Sequence, residues 1–237
     1  MRSIDLRPPD DETGRLWASV ADLTELLPLD WVLIGGLMVQ IHAFERGVED
    51  VRVTTDVDVL GQARPQGPLR AIDQALRADG FQPEPPDLDG YAFRYSRDGL
   101  IVDVLAPDGV KPPPALGTGQ TAIGVPGGSQ ALVRQEEITI RLGARTFRLR
   151  RPSLLGAILI KARSLVVHHD PDSQREDLLL LLSLVDDPRA MAGELKKSER
   201  RWLRDAEARL SFDRPASVGA TRLRLARLTL ALLLGES

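Results

Sequence analysis

The period of apolar and polar positions changes several times along the chain, and each change marks an element. After a leader rich in Pro and Asp, the apolar runs Leu23–Leu27 and Trp31–Ile34 lead into Gly35-Gly36. Beyond that pair, Leu37, Ile41 and Phe44 recur at helical spacing. This pattern predicts a strand, a tight glycine turn and a helix. Val53–Leu60 (VTTDVDVL) alternates polar with β-branched apolar residues and predicts a second strand. Leu69, Ile72 and Leu76 predict a helix ended by Gly80. Tyr91–Tyr95 and Leu100–Leu105 predict a hairpin turned at Asp98-Gly99. Residues 107–130 hold 11 Gly or Pro in 24 positions, Pro112-Pro113-Pro114 among them, and are expected to form a loop or linker rather than packed structure. Ile138–Leu142 and Thr146–Leu149 predict another hairpin. From Ser153, a candidate N-cap, the period is helical to the end. The expected fold class is α+β: a mixed-sheet core with flanking helices over residues 1–150, and a helical region over 151–237 packing on it.

Composition narrows the chemistry. The 237 residues include no cysteine, which removes disulfides, thiolate nucleophiles and Cys-ligated metal centres. An all-His metal site would need all three histidines, His42, His168 and His169. The ten aromatic residues are too few for a stacking platform for single-stranded nucleic acid. Leu154–Val167, the longest nearly apolar run, carries Lys161 and Arg163 and falls short of the roughly 20 residues that span a bilayer. No apolar stretch in MRSIDLRPPDDE reads as a signal peptide, so a soluble, cytoplasmic protein is expected.

The formal net charge of −3 is unevenly spread, with a net of −8 over residues 1–188 and +5 over 189–237. An acidic front with a basic tail suits a metal-dependent site beside an anionic partner, although charge alone fits scatter over two surfaces better. In the tail, Lys196, Lys197, Arg200, Arg201 and Arg204 flank an apolar stripe at helical spacing (Leu195, Trp202, Leu203, Ala206, Leu210). The favoured reading there is the wet face of an amphipathic helix.

Three features carry candidate chemistry. Asp56 and Asp58 stand at i and i+2 of a predicted strand, so both face one side with Cα atoms roughly 6.5–7 Å apart. Two such carboxylates repel unless a cation lies between them, and Mg²⁺ prefers carboxylate oxygen. Asp103 sits inside the apolar run LIVDVLA, where an unpaired ionised carboxylate is costly. Gly35-Gly36 joins a strand to a helix N-terminus, a place where backbone N–H groups can meet a phosphate. Lys161, one of only four lysines, emerges from an apolar helix face with Ala157, Ile158 and Leu165 around it. It could snorkel to water or serve as a fixed cation.

Taken in order, LIGGLMVQIHAF, the Arg52-x-Thr54-x-Asp56-x-Asp58 run, IVDVL, the Lys161 helix and QREDLLLLL with Asp177 resemble the nucleotidyltransferase superfamily with the DNA polymerase β-type fold. More narrowly they are similar to the AbiEii/AbiGii-type nucleotidyltransferase toxins. The resemblance covers roughly residues 30–185. It implies a nucleotidyltransferase core and a two-Mg²⁺ site held by Asp56, Asp58 and Asp103. It also implies NTP as substrate, with Gly35, Gly36 and Lys161 at the triphosphate. Arg52 would contact substrate or brace Asp58, and Asp177 would orient Lys161 or cap a helix. Implied partners are an acceptor RNA or protein and a cognate antitoxin, with no membrane. Gly36 stands where many relatives carry Ser, and the spacing to Asp56 is long, which predicts an extended helix or inserted loop around Glu45–Asp50. His42 is expected to be half-buried on the first helix, and His168-His169 to close a helix. A catalytically silent nucleotide-binding module, or a phosphohydrolase using Asp-x-Asp as nucleophile and acid, are the alternative readings. The second requires the Asp-x-Asp strand to come before the glycine turn, the reverse of the order here.

Overall fold

A computed structural model describes all residues except 1, 9, 29, 63–66, 87–90, 112–113, 117–120, 168–170, 215 and 237, and leaves aside the side chains of Arg2, Ala92 and Pro171. The leader is structured. It forms strand β1 (Arg2–Leu6) and helix α1 (Asp11–Leu26), and Asp10 caps α1 by accepting from the Thr13 amide at 2.7 Å. Next come β2 (Trp31–Leu33), α2 (Gly35–Phe44), β3 (Asp56–Gly61), α3 (Pro68–Ala78) and β4 (Gln82–Pro83). The middle of the chain supplies β5 (Tyr91–Ala92), β6 (Arg94–Arg97), β7 (Leu100–Pro107), β8 (Thr121–Ala122), β9 (Gly124–Val125), α4 (Gly128–Val133), β10 (Gln135–Leu142) and β11 (Arg145–Pro152). The remainder is helical: α5 (Leu154–Val167), α6 (Pro171–Ser183), α7 (Pro188–Glu194), α8 (Lys197–Leu210) and α9 (Gly219–Leu234). The fold is α+β with mixed sheets.

The larger sheet runs β2-β3-β7-β6-β4, with β9 beside β7. Its centre is the parallel pair β3/β7, in which Asp58 lies directly opposite Asp103. A smaller sheet, β1-β10-β11, places β1 parallel to β10. Strand alternation sorts the residues of β3 and β7 by face. Val57, Val59, Val102 and Val104 are fully buried in one cluster with Trp17 of α1 and Ile72 and Leu76 of α3. Leu60 and Leu105, on the other face, join a second cluster with the leucines of α5 and α6. Asp56, Asp58 and Asp103 share the parity of that second face, so the carboxylates point toward the helical side of the sheet.

Several expectations need correction. The strand expected over Val53–Leu60 starts only at Asp56, which leaves Thr54 in an irregular approach. Of the expected strand Tyr91–Tyr95, β5 pairs in parallel with β8, and only β6 forms the hairpin with β7. The hairpin turn falls where expected, with positive φ at Asp98 (51°) and Gly99 (82°). Residues 107–130 are not an unpacked linker. Leu116 and Ala122 are fully buried, β9 pairs with β7, and Asp108 accepts from the amides of Gly127 (2.9 Å) and Ser129 (3.0 Å). Among the described residues there, Gly109 and Gly127 take positive φ (79° and 83°). Helix α2 stops at Phe44, so the added length before Asp56 is loop rather than extended helix. His42 is buried, not half-buried, with Nε2 3.1 Å from the Pro152 carbonyl at the end of β11. The helix-closing role expected of His168-His169 lies outside the described residues. Ser153 stands before α5 as expected, its hydroxyl 3.4 Å from the Gly156 amide. In α8, Leu203, Ala206 and Leu210 are buried while Lys197, Arg201 and Arg204 are exposed, as an amphipathic helix requires.

Candidate active site

The Gly35-Gly36 turn meets the Asp-x-Asp strand at close quarters. The Ile34 amide donates to the Asp58 carbonyl at 3.0 Å, which ties the start of α2 to the middle of β3. Gly35 has φ +71°, and a Cβ on it would stand 1.7 Å from Asp58 Oδ2. Backbone conformation and lack of space therefore both require glycine. A Cβ on Gly36 would meet the Thr54 side chain at 2.8 Å, so Thr54 fills the volume that a side chain at Gly36 would need. The N-cap of α2, Ile34, makes no side-chain cap bond to the first-turn amides.

Asp56, Asp58 and Asp103 each present a carboxylate oxygen, and the three lie within 4.8 Å of one another. Thr54 Oγ1 donates to Asp56 Oδ1 at 2.8 Å and fixes that carboxylate's rotation. Burial pushes the Asp58 carboxyl up to about 7, with the charges of Asp56 and Asp103 acting in the same direction; Lys161 and Arg94 oppose them. Asp103 is also raised, chiefly by burial, and its bond to Arg94 pulls the other way. Among the described residues this is the one cluster of acidic and imidazole groups spaced to hold a metal. Three hard oxygen donors in a site short of positive charge fit a divalent cation such as Mg²⁺.

These groups line a cleft of about 470 Å³ together with Gly35, Gly36, Arg52, Thr54 and Lys161. The cleft has an apolar side that includes Phe93, Ile123 and Val125, two of them from the segment expected to be a linker. Lys161 does not snorkel to water. Its side chain is 6% exposed, its Nζ lies 2.8 Å from Asp177 Oδ2, and it donates to Gln174 Oε1 at 3.2 Å. Asp177 also accepts from Arg52 Nε and Nη2, both at 3.3 Å. Arg52 thus turns to Asp177 rather than bracing Asp58, and Asp177 stands behind the cleft wall as the shared partner of two cations.

Arg94 escaped the sequence reading. It stands opposite Asp103 across the β6/β7 pair and holds that carboxylate with two bonds of 2.8 Å. An arginine within the segment YAFRY carries no local signal of its partner, which strand register sets. That register was already implied by the Asp98-Gly99 turn.

No family model matches the chain, and no curated protein matches it. Among solved structures, it is similar to an antigenic nucleotidyltransferase-like protein from Paracoccidioides brasiliensis, with a TM-score of 0.50, 16% identity, and coverage of 91% of this chain and 94% of that one. At that identity the likeness is one of fold: this chain has the architecture of a nucleotidyltransferase-like protein.

Proposed function

We propose that this protein is an Mg²⁺-dependent nucleotidyltransferase that moves NMP from an NTP to an acceptor hydroxyl on RNA, such as tRNA, or on protein, releasing pyrophosphate. The observation that carries the reading is the convergence of Asp56, Asp58 and Asp103 within 4.8 Å, in one cleft with the uncapped start of α2 and with Lys161. In this reading residues 1–150 supply the carboxylates and the glycine turn, and residues 151–237 supply Lys161. The nucleotidyltransferase-like fold supports it.

Asp56, Asp58 and Asp103 would hold two Mg²⁺ ions, which when bound acidify the attacking hydroxyl and stabilise the pyrophosphate leaving group. The protein's own groups do the rest. Gly35 and Gly36 let phosphate oxygens reach the α2 amides and the positive end of its dipole. Lys161, held by Asp177 and Gln174, places a positive charge at the cleft wall without a conformational search. Asp103, its carboxyl raised by burial, would accept the proton of the attacking hydroxyl. Thr54 keeps Asp56 in one rotation. The resemblance of the motifs to AbiEii/AbiGii-type toxins supports a role in toxin–antitoxin or phage-defence biology, with an antitoxin protein as partner and the cytoplasm as the place of action. No helix among the described residues is long and apolar enough to cross a membrane.

The test incubates the protein with each α-labelled NTP, Mg²⁺ and total cellular RNA or protein, beside Asp56→Asn. Label transferred to an acceptor by the wild type alone is the expected result. NTP binding without transfer would identify a silent binding module instead.

A further inference from the structure

Arg94 occupies the place in the cleft where a cation would be expected. Its Nε and Nη2 take both oxygens of Asp103 at 2.8 Å, and the same Nη2 lies 3.9 Å from Asp56 Oδ2. One guanidinium nitrogen therefore sits between two of the three clustered carboxylates. Among the described residues no cation bonds Asp58 directly; Lys161 and Arg94 act on it only through their charge, and the direct ion pairs fall on Asp56 and Asp103. The Arg94 side chain is 34% exposed and lines the open cleft, so a ligand entering there can reach its guanidinium. It differs in this from Lys161, which is buried and shares Asp177 with Arg52.

A divalent ion shared by Asp56 and Asp103 would enter against this guanidinium, since two cations cannot both approach the same oxygens without repulsion. The guanidinium fork fits phosphate oxygens as well as it fits a carboxylate. A triphosphate arriving in the cleft offers Arg94 an alternative anion within reach of the same side chain.

We propose that Arg94 is a built-in counter-ion that holds Asp103 and Asp56 in the empty site and moves to the phosphates when nucleotide binds, so that nucleotide opens the Asp56–Asp103 side to a divalent ion. This rests on the nucleotidyltransferase reading and adds to it a positioning residue and an order of binding.

The test measures Mn²⁺ binding by electron paramagnetic resonance on the full chain, alone and with an NTP analogue whose α,β bridge cannot be cleaved. Arg94→Met and Arg94→Lys are compared with wild type after circular dichroism has established folding. Arg94→Met is expected to tighten nucleotide-free Mn²⁺ binding about tenfold and to weaken binding of the analogue about tenfold, each being one ion pair gained or lost at the 1.4 kcal/mol per decade scale. Arg94→Lys keeps a charge but cannot grip both Asp103 oxygens, so it shifts both affinities in the same directions by less. It carries the test if Arg94→Met does not fold. Unchanged or weaker Mn²⁺ binding in the variants, with the analogue still bound, would overturn the counter-ion role and leave Arg94 as a brace for Asp103, the nucleotidyltransferase reading standing. If the wild type binds Mn²⁺ but never the analogue, both the order of binding and the nucleotidyltransferase reading fall.

Discussion

The floor and the wall of the cleft solve opposite electrostatic problems. On the wall, one buried carboxylate, Asp177, is shared by two cations, Arg52 and Lys161, and Gln174 satisfies Lys161 further. On the floor, three carboxylates crowd within 4.8 Å and a single partly exposed arginine compensates two of them. The wall is complete as folded. The floor is left short of positive charge, and the Asp58 carboxyl is pushed up to about 7. A group of acids crowded in this way could hold a metal ion, whereas the balanced wall holds a charge in position.

Substitutions should separate the two regions. The largest effect is expected on the floor: Asp58→Asn should lower nucleotidyl transfer by about 10²–10³-fold or more. The same variant should raise the melting temperature of the metal-free protein, because it removes a partly desolvated charge that Asp56 and Asp103 repel. Activity lost with stability gained is the signature of the floor, and a variant that lost both would remove the distinction. Gly35→Ala should follow closely in activity, since its methyl group would displace Asp58 Oδ2, with about 1–2 kcal/mol of backbone cost added by the positive φ. Activity assays with parallel thermal melts check both variants.

On the wall, Asp177→Asn should lose stability and activity together. It strands Lys161 in a buried setting, and breaking a buried pair costs about 3–5 kcal/mol, discounted here because Arg52 is 37% exposed. Denaturant titration measures the loss, and an Asp177→Asn protein as stable as wild type would mean that the wall is not held by its ion pairs.

A smaller effect follows from pH. Asp58 has a folded-state value above its unfolded one, so its contribution to metal-free stability is full below about pH 4 and is lost as pH rises through about 7. Mg²⁺ binds the ionised form. The rise in melting temperature on adding Mg²⁺ should therefore be larger at pH 8 than at pH 5.5, and a shift equal at both values would argue against binding at the triad. The smallest effect is expected far from both regions. Arg204→Ala on the exposed face of α8 should change stability by no more than about 0.5 kcal/mol and leave transfer intact. A clear loss of acceptor labelling would assign that basic face to acceptor binding instead.

Much of the floor was legible in the sequence because its logic is local. Alternation in DVDVL sets both acids on one face and the glycine pair marks the turn; on the wall, a lysine in an apolar helix stands out by rarity. What connects the parts was less legible. Arg94 meets Asp103 through strand register, and Arg52 meets Asp177 across 125 residues of chain. The Gly- and Pro-rich stretch around Ile123–Pro126 carries a composition of loops, yet it packs beside β7 and lines the cleft, because β9 pairing and the Asp108 bonds to Gly127 and Ser129 supply an order that composition does not encode. The β1 strand escaped for a similar reason: its partner, β10, lies more than a hundred residues away.

The most direct test of the central claim identifies which phosphate product the floor releases. Wild type and Asp56→Asn are incubated with NTP, Mg²⁺ and total cellular RNA and protein, and pyrophosphate and orthophosphate are quantified separately. Pyrophosphate with little orthophosphate is expected from the wild type, and neither above background from Asp56→Asn. Orthophosphate as the main product, or pyrophosphate undiminished in Asp56→Asn, would contradict it.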